Sequence, residues 1–539
     1  MSFLVSNNSG SFALFGIDSR YQGVFFYNNG RMFKAIADIV LPGEKGPVLN
    51  ELWKVTRDRG VLESFWFAHR SPVFFYEVSQ PVDILFDCKL NFDNRVWGRN
   101  YEFVKKDGAL LVHFEKKNDG RESSEFGEYD FWLALYGCRF EKLEKWQEQY
   151  YDYDKARQSP PFSRWVLNGC RADGSFVLAF GQSKKEVLQL AKSSWERKDE
   201  FAAEAKSFAA ELVSNVDVKN EEMLLAAECA RYSLACLQEN NGLFAGFPWF
   251  HQRWARDELV SAKALLLSGS KSLAKAILFS WLDRLLPDGK LPGTLTHTIA
   301  DAGWLFLRFE DYLPELDKSE RAWLVAKLDF FLNQVEKNLQ DGLVVCNARE
   351  TWMDSIDRGG ARIEIQALTL ASCRLMRLLK GEHRLESVLK ARVKDVFWKG
   401  KYLADGSNDD TVRPNVFIAA YAYFELLSKR EWISCFDYVL PRLWLDWGGL
   451  STLDKNHLCF VPNHSGEVPK SYHCGDSWFW LNNLAALVLF AFDKKKYKNY
   501  VQHILKASTR EILYEGAFGH HSELSSASEF KPAGCLAQA

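Results

Sequence analysis

The spacing of apolar residues along the chain changes character near residue 180. Before that point, short apolar and aromatic runs alternate with turn residues, as expected of strands joined by tight turns. The runs lie at residues 11–15, 24–27, 64–67, 73–76, 110–114 and 131–135, with turn residues at 28–30 and 118–120. The pattern predicts an antiparallel β-sandwich domain over residues 1–180.

Beyond residue 219, apolar residues recur at helical spacing for most of the chain. The predicted helices lie at residues 220–239, 257–267, 272–286, 299–312, 319–339, 362–379, 385–398, 414–427, 432–443, 477–492 and 496–513. They fall mostly in closely spaced pairs separated by longer loops. This arrangement predicts an (α/α)6 toroid barrel over residues 219–539. An open α-solenoid is the alternative, but no repeat of fixed period is visible, which favours the closed toroid.

A charged amphipathic stretch at about residues 184–213 predicts one long helix between these two regions. We expect it to form a linker over residues 181–218. The fold class is therefore predicted to be α+β and multidomain.

Composition narrows the classes of partner and the cellular location. The 539 residues carry a net charge of −2 without a basic stripe, which argues against nucleic acid as a partner. No apolar run approaches the ~18 residues of a membrane span, and the N-terminus lacks the pattern of a signal peptide. Eleven cysteines without CxxC pairs indicate reduced thiols in a cytoplasmic protein. No metal motif is present, so neither metal nor cofactor is predicted, and the oligomeric state stays open.

Several predicted loops combine bulky apolar or aromatic residues with polar ones. The first of these, residues 247–257, reads FPWFHQRWARD and precedes a strongly helical run. Aromatic faces and a fixed Arg–Asp pair suit a sugar ring, which has flat C–H faces and a rim of hydroxyls. Further loops of interest lie at residues 350–354, 412–415, 472–475 and 521–523.

Glycoside hydrolysis requires one carboxylic acid that protonates the leaving oxygen and a second carboxylate that activates water or attacks the anomeric carbon. Two loop carboxylates have surroundings that suit these roles. Asp354 follows Trp352 and Met353, which suits an acid of raised pKa, and Glu523 beyond the last helix suits the base. Plainer explanations exist. A loop carboxylate is often no more than a solvated turn residue. Asp257 could be a helix N-cap, and residues 413–415 could be the start of a helix without any role in binding.

Taken in order, these segments resemble the amylo-α-1,6-glucosidase domain of glycogen debranching enzymes, and more distantly glucoamylases. The matching residues are 247–250, 254–257, 350–354, 363–368, 412–415, 447–453, 472–475, 521–524 and 537–539. Residues 6–10 and 19–23 resemble, more faintly, the β-sandwich that precedes this barrel in prokaryotic members. The chain departs from the family pattern at Gln22, at Ala255 and at residues 476–479, where Asp476 adds a carboxylate.

The resemblance implies a six-fold α/α barrel that hydrolyses α-1,6 branch points of an α-glucan with inversion. It implies that Asp354 is the acid, that Glu523 is the base, and that Arg256 and Asp257 grip the terminal glucose. The remaining predicted substrate-binding residues are Trp249, Trp254, Trp352, Arg413, Asn415 and His473.

Three other functions remain open at this stage. The same machinery could act on α-1,4 or α,α-1,1 bonds, as in a glucoamylase or a trehalase. A sugar phosphorylase could share the sandwich-and-barrel architecture. A glucan-binding protein with a decayed site is the non-enzymatic alternative.

Overall fold

The computed structural model describes residues 2–43, 46, 48–118, 125–214, 216–293, 298–381 and 383–539. The chain forms two compact units. The first comprises Met1–Asn240, Gly246–His251 and Ile512–His520, and the second comprises Asn241–Ala245, Gln252–Glu511 and His521–Ala539.

Fifteen strands of the described part of the first unit form two antiparallel sheets. One sheet has the order β1-β2-β3-β4-β9-β14-β13, and the other has the order β10-β11-β12-β15-β8-β7-β6-β5. The strands are β1 (Phe3–Ser6), β2 (Phe12–Phe15), β3 (Gly23–Asn28), β4 (Arg31–Val40), β5 (Val48–Asn50), β6 (Lys54–Asp58), β7 (Leu62–Phe67), β8 (Val73–Val78), β9 (Val82–Leu90), β10 (Arg99–Lys106), β11 (Ala109–Lys116), β12 (Tyr129–Tyr136), β13 (Phe140–Tyr150), β14 (Ser163–Ala172) and β15 (Phe176–Gly181).

The two sheets face each other across an aromatic core, which confirms the predicted β-sandwich. Phe26 of one sheet stacks on Phe180 of the other, with ring centroids 5.1 Å apart. Five of the six predicted apolar runs lie entirely in strands, and the run at 11–15 begins one residue before β2. The turn at 28–30 joins β3 to β4, with Asn29 and Gly30 at positive φ, whereas the turn at 118–120 includes Asp119 and Gly120, which lie outside the described residues.

The stretch predicted as one linker helix is two helices, α2 (Lys184–Glu196) and α3 (Lys198–Val213), after the short α1 (Asp152–Ala156). The prediction of a single helix was wrong because Arg197 leaves helical geometry, at φ −106° and ψ 23°. Helical spacing on either side of one non-helical residue looks continuous in sequence.

Each of the eleven helices predicted after residue 219 is present, with shifted ends. They are α4 (Glu221–Cys236), α5 (Ala255–Leu267), α6 (Lys271–Asp283), α7 (Gly303–Tyr312), α8 (Lys318–Lys337), α9 (Ile363–Lys380), α10 (Arg384–Phe397), α11 (Asn415–Ala422), α12 (Lys429–Leu443), α13 (Phe479–Asp493) and α14 (Lys498–Arg510). Helix α4 lies in the first unit, and the other ten lie in the second.

Within the second unit, alternate helices form a buried row. Helices α5, α7, α9, α11 and α13 pack each against the next, while α6, α8, α10, α12 and α14 lie between them in sequence. Fourteen of the eighteen residues of α9 are buried, which is typical of a helix enclosed on all sides. The long loops that precede the buried helices therefore open at the N-terminal ends of this row.

None of the eleven cysteines, all of which lie among the described residues, forms a disulfide bond. In the described part of the chain, we find no helix with the length and apolar character needed to cross a membrane.

We expect Gly303→Ala to lower the thermal unfolding midpoint. A Cβ at Gly303 would lie 2.5 Å from the backbone oxygen of Leu368, where α7 meets α9. Overpacking of this kind costs about 1–3 kcal/mol, which exceeds the ~1 kcal/mol that alanine gains over glycine in a helix. Calorimetry measures the midpoint. Gly174→Ala is the control, because its nearest neighbour is Val78 O at 3.7 Å; equal midpoints for the two variants would contradict the expectation.

Candidate active site

The predicted site residues of the second unit lie around the N-terminal ends of its buried helices. Arg256 and Asp257 lie in the first turn of α5, and Asp354 lies in the loop before α9. Arg413 and Asn415 lie at the start of α11, His473 precedes α13, and Glu523 lies beyond α14. Hydrogen bonds, ion pairs and electrostatic interactions join these segments into one site.

Asp354 is the more accessible of the two proposed catalytic carboxyls. Its Oδ2 lies 3.9 Å from Nη1 of Arg256, and its side chain is 39% exposed. Burial nevertheless raises the pKa of Asp354, and the charge of Arg256 opposes this rise only in part. These observations agree if the carboxyl is open to solvent on one side and enclosed by protein on the others. The carboxyl therefore keeps its proton to a higher pH than usual, and a bound molecule can still reach that proton.

Glu523 is only 3% exposed, and both of its carboxylate oxygens are engaged. The Tyr472 hydroxyl donates to Oε1, and the backbone N–H of Cys535 donates to Oε2 at 2.9 Å. Burial raises the pKa of Glu523 to about 7, although both hydrogen bonds lower it. Gly534 lies against this side chain at φ +73°, and a Cβ there would stand 2.2 Å from Oε2. The backbone therefore encloses Glu523 closely.

Arg256 and Asp257 face different partners. Arg256 Nε donates to Oδ2 of Asp301 at 2.6 Å, and its buried Nη2 has no hydrogen-bond partner among the described residues. Asp257 Oδ1 accepts from Nε2 of Gln538 at 2.7 Å. The N-cap of α5 is Trp254, so Asp257 is not the cap residue.

Three carboxyls influence one another at this site, and we call Asp257, Asp354 and Glu523 the carboxylate cluster. Burial raises the pKa of Asp257 to about 7, Arg256 lowers it, and the charges of Glu523 and Asp354 raise it further. The charge of Asp354 also raises the pKa of Glu523. Ionising all three buried carboxyls would place like charges close together at a high cost in free energy, so the cluster retains protons near neutral pH.

A buried polar network lies beneath the cluster. Trp352 Nε1 donates to Asn415 Oδ1 at 2.7 Å, and Asn415 Nδ2 donates to Asp405 Oδ1 at the same distance. Arg358 donates to both oxygens of Asp405, at 2.8 and 2.9 Å, and also to Glu364. Because every member is hydrogen-bonded, the network fixes the position of the Trp352 ring.

Arg413 and His473 contact the segment that carries Asp354. Arg413 Nη1 lies 3.7 Å from the sulfur of Met353, and it donates to His473 O at 2.7 Å. His473 Nδ1 pairs with Ser355 Oγ at 2.7 Å. Burial lowers the pKa of His473 well below its usual value, so the ring is neutral. Its buried Nε2 has no hydrogen-bond partner in the described part of the chain and is available to a ligand.

The three tryptophans predicted to bind substrate do not all lie in the same unit. The ring of Trp352 is 5% exposed and meets Trp478 and Trp480 edge to face, at 5.6 and 5.2 Å. Trp254 is partly exposed at the start of α5. Trp249 belongs to the first unit, where the Arg157 guanidinium lies 3.7 Å from its ring centroid. The role of Trp249 at a sugar pocket stays a prediction.

Asp476, which departs from the family pattern, is buried beside the cluster. It accepts from His464 Nδ1 at 2.8 Å and from Ser471 Oγ at 2.7 Å. The charge of His464 lowers the pKa of Glu523. Asp476 therefore holds the His464 ring near the proposed base.

Sequence reasoning missed Asp301, Tyr472 and Gln538 as members of the site. Asp301 was hidden because the helix predicted from residue 299 begins at Gly303. Tyr472 and Gln538 lie in segments that carry the family resemblance, which was the available signal. No group of three or more His, Cys, Asp or Glu suited to a metal ion occurs among the described residues.

The family model described as amylo-alpha-1,6-glucosidase matches residues 211–539, which is more than half of the chain. The chain is therefore a member of a glycoside hydrolase family. It belongs to the amylo-alpha-1,6-glucosidase family, as the resemblance predicted. No curated protein matches the sequence.

Among solved structures, a bacterial glucoamylase complexed with acarbose is similar, with a TM-score of 0.66 and 11% identity over 98% of this chain and 90% of that chain. This likeness shows the fold. A GH63 mannosylglycerate hydrolase from Thermus thermophilus has a TM-score of 0.45 and 13% identity, over 58% of this chain and 96% of its own. A structure named as a wild-type glycosidase has a TM-score of 0.43 and 15% identity, over 57% and 88%.

We expect Asp257→Asn to raise the thermal unfolding midpoint more at pH 8 than at pH 5.5. A folded-state pKa of about 7, above the usual value, makes the wild type lose stability as pH rises towards 7. Asparagine carries no charge and can still accept from Gln538. Calorimetry at both pH values measures the difference.

Asp395→Asn, at an exposed position on α10, is the control and should show no such pH dependence. An Asp257→Asn midpoint that changes equally at the two pH values would contradict a raised pKa.

Proposed function

We propose that this chain hydrolyses the α-1,6-glucosidic bonds of α-glucans with inversion of configuration. The catalytic domain is an (α/α)6 barrel over residues 219–539, preceded by the sandwich over 1–180 and a linker over 181–218. Family membership over residues 211–539 supports the reaction. The alternation of buried and outer helices and the glucoamylase-like fold support the barrel.

Asp354 is the proposed acid and Glu523 the proposed base. The observation that carries this assignment is that both carboxyls have raised pKa values and that the charge of Asp354 acts on Glu523. Asp354, open to solvent, protonates the glycosidic oxygen. Glu523, held by Tyr472 and Cys535, deprotonates the water that attacks the opposite face. Inversion requires the carboxyl groups to lie ~6.5–9.5 Å apart.

Arg256 and Asp257 bind the hydroxyls of the terminal glucose. The unpaired Nη2 of Arg256 and the unpaired Nε2 of His473 are polar atoms that a sugar would satisfy. Trp352 and Trp254 shape the pocket, and Arg413 and Asn415 hold Met353 and Trp352 beside it. A role for Trp249, which belongs to the first unit, stays a prediction. The substrate is neutral, so hydrogen bonds and ring faces provide the recognition.

We expect Asp354→Asn to lower kcat on a short α-1,6-branched glucose oligosaccharide by about 10²–10⁴-fold, since an amide cannot donate the acid's proton. Product is measured as released glucose, and its anomeric form is followed by NMR. The wild type should release β-glucose first. Parallel assays with linear maltooligosaccharides, with trehalose, and with added phosphate test the glucoamylase, trehalase and phosphorylase alternatives.

The matched control is Asp357→Asn in the same loop. Its carboxylate is exposed and accepts the backbone N–H of Gly359, so activity should persist. Full activity of Asp354→Asn, or release of α-glucose by the wild type, would disprove the mechanism. Binding without hydrolysis by freshly prepared wild type would support the non-enzymatic alternative.

We expect Tyr472→Phe to move the acidic limb of the kcat/KM profile to higher pH. Glu523 works as a base only when ionised, so kcat/KM falls below its pKa of about 7. The Tyr472 hydroxyl lowers that pKa, and its loss should raise it. A hydrogen bond worth ~0.5–1.5 kcal/mol corresponds to a shift of about 0.4–1.1 pH units.

Tyr423→Phe is the matched control, because it removes another buried tyrosine–glutamate hydrogen bond, to Glu386 at 2.7 Å. Its acidic limb should stay in place. A Tyr472→Phe limb that stays in place or moves to lower pH would exclude Glu523 as the group titrating there.

A further inference from the structure

Strands β13 and β14 form an antiparallel ribbon at one edge of the seven-stranded sheet. Trp146 pairs with Leu167, Glu148 with Trp165, and Tyr150 with Ser163. Directly opposed residues share a face of a sheet, and so do alternate residues of one strand. Trp146, Glu148, Tyr150 and Trp165 therefore lie on the same face of the ribbon.

Three large rings on this face are exposed. Trp146 is 43% exposed, Trp165 is 51% exposed and Tyr150 is 66% exposed. Trp165 is the diagonal neighbour of Trp146 and of Tyr150 in the ribbon, a relation that places the Cα atoms about 7–8 Å apart. Because a strand rises ~3.3 Å per residue, Trp146 and Tyr150 lie about 13 Å apart along the ribbon. We call these three residues the aromatic platform.

Polar contacts hold the platform in place. The Arg99 guanidinium carbon lies 4.6 Å from the centroid of the Trp146 ring, and Arg99 Nη1 donates to Trp165 O at 2.7 Å. The Tyr150 hydroxyl donates to Glu148 Oε2 at 2.8 Å, so its ring leans along the ribbon. Ordered rings lose little conformational freedom when a ligand binds them.

The chemistry of the ribbon favours a sugar chain over a protein partner. A stable protein interface needs about 800 Å² and 20–30 residues from each side, whereas the platform is three rings bordered by charges. Strand β13 also carries Glu141, Lys142, Glu144 and Lys145, and charged edge strands oppose pairing with a second copy. Rings interleaved with a carboxylate and hydroxyls suit sugar rings, whose C–H faces are apolar and whose rims are hydroxyls.

We propose that the aromatic platform is an accessory binding site for an α-glucan chain. A run of about 13 Å offers stacking faces to a few consecutive glucose units, with Glu148 beside them as an acceptor for their hydroxyls. The choice of α-glucan rests on the proposed function. Stacking itself needs no catalysis.

The test compares the full-length wild type with the double variant Trp146→Ala/Trp165→Ala in native gels containing glycogen. Loss of two stacking rings should weaken retardation by glycogen about tenfold or more. The KM for glycogen should rise similarly, while kcat/KM for a short branched oligosaccharide stays unchanged. Trp323→Ala is the matched control, because Trp323 is 46% exposed and lies beneath a lysine on α8.

Trp165→Tyr keeps an aromatic face and should retain most of the binding, which separates stacking from folding. Unfolding midpoints of all variants check the fold. Unchanged retardation of the double variant, absence of glycogen binding by the wild type, or a wild-type dimer that the double variant loses would each overturn the proposal. Binding that depends on the platform in a protein that hydrolyses no α-1,6 bond would uphold the platform and refute the proposed function.

Discussion

The crowding of carboxyls around a single guanidinium is the constraint on which the site depends. Arg256 lies 2.6 Å from Asp301 and 3.9 Å from Asp354, and its charge also acts on Asp257. One positive charge cannot compensate several negative ones in a poorly solvated environment, so part of the cluster keeps its protons. A glycosidase needs one protonated and one ionised carboxyl together, and this imbalance of charge allows both states near neutral pH.

The charges of the neighbouring buried ion network are paired with one another, whereas several polar atoms around the carboxylate cluster have no partner among the described residues. Arg358 is fully paired with Asp405 and Glu364, and Arg362 adds one further hydrogen bond to Asp405. In the carboxylate cluster and its surroundings, by contrast, Arg256 Nη2 and Asp301 Oδ1 are buried without partners among the described residues. An unpaired buried polar atom is costly, so its presence points to a ligand that completes it. The paired network positions Trp352, and the unpaired atoms are those that we propose a bound sugar would satisfy.

Much of this organisation could be predicted from sequence, for identifiable physical reasons. Helix periodicity located each helix after residue 219, because the buried row imposes a strong apolar pattern. Asp354 and Glu523 are 169 positions apart, and no local pattern brings them together. Their loop surroundings suggested the two roles, the family resemblance implied the same roles, and the pairing remains a proposal. Asp301 escaped notice because a helix end was misplaced by four residues. Gln538 lies in a segment that carries the family resemblance, but an amide side chain by itself indicates no particular chemistry.

Strand β13 shows where periodicity fails and why that failure is informative. Eight of its eleven residues, FEKLEKWQEQY, are exposed, and they lie on both faces, so burial imposes no alternation of apolar and polar positions. Charges at an open edge prevent pairing with another chain, and this protection allows bulky rings to remain exposed without promoting aggregation. An aromatic residue in such a strand contributes little to the core, and its exposure has to be explained by what it contacts outside the fold. Strand β13 is not among the predicted apolar runs, and its exposed rings are available to a ligand.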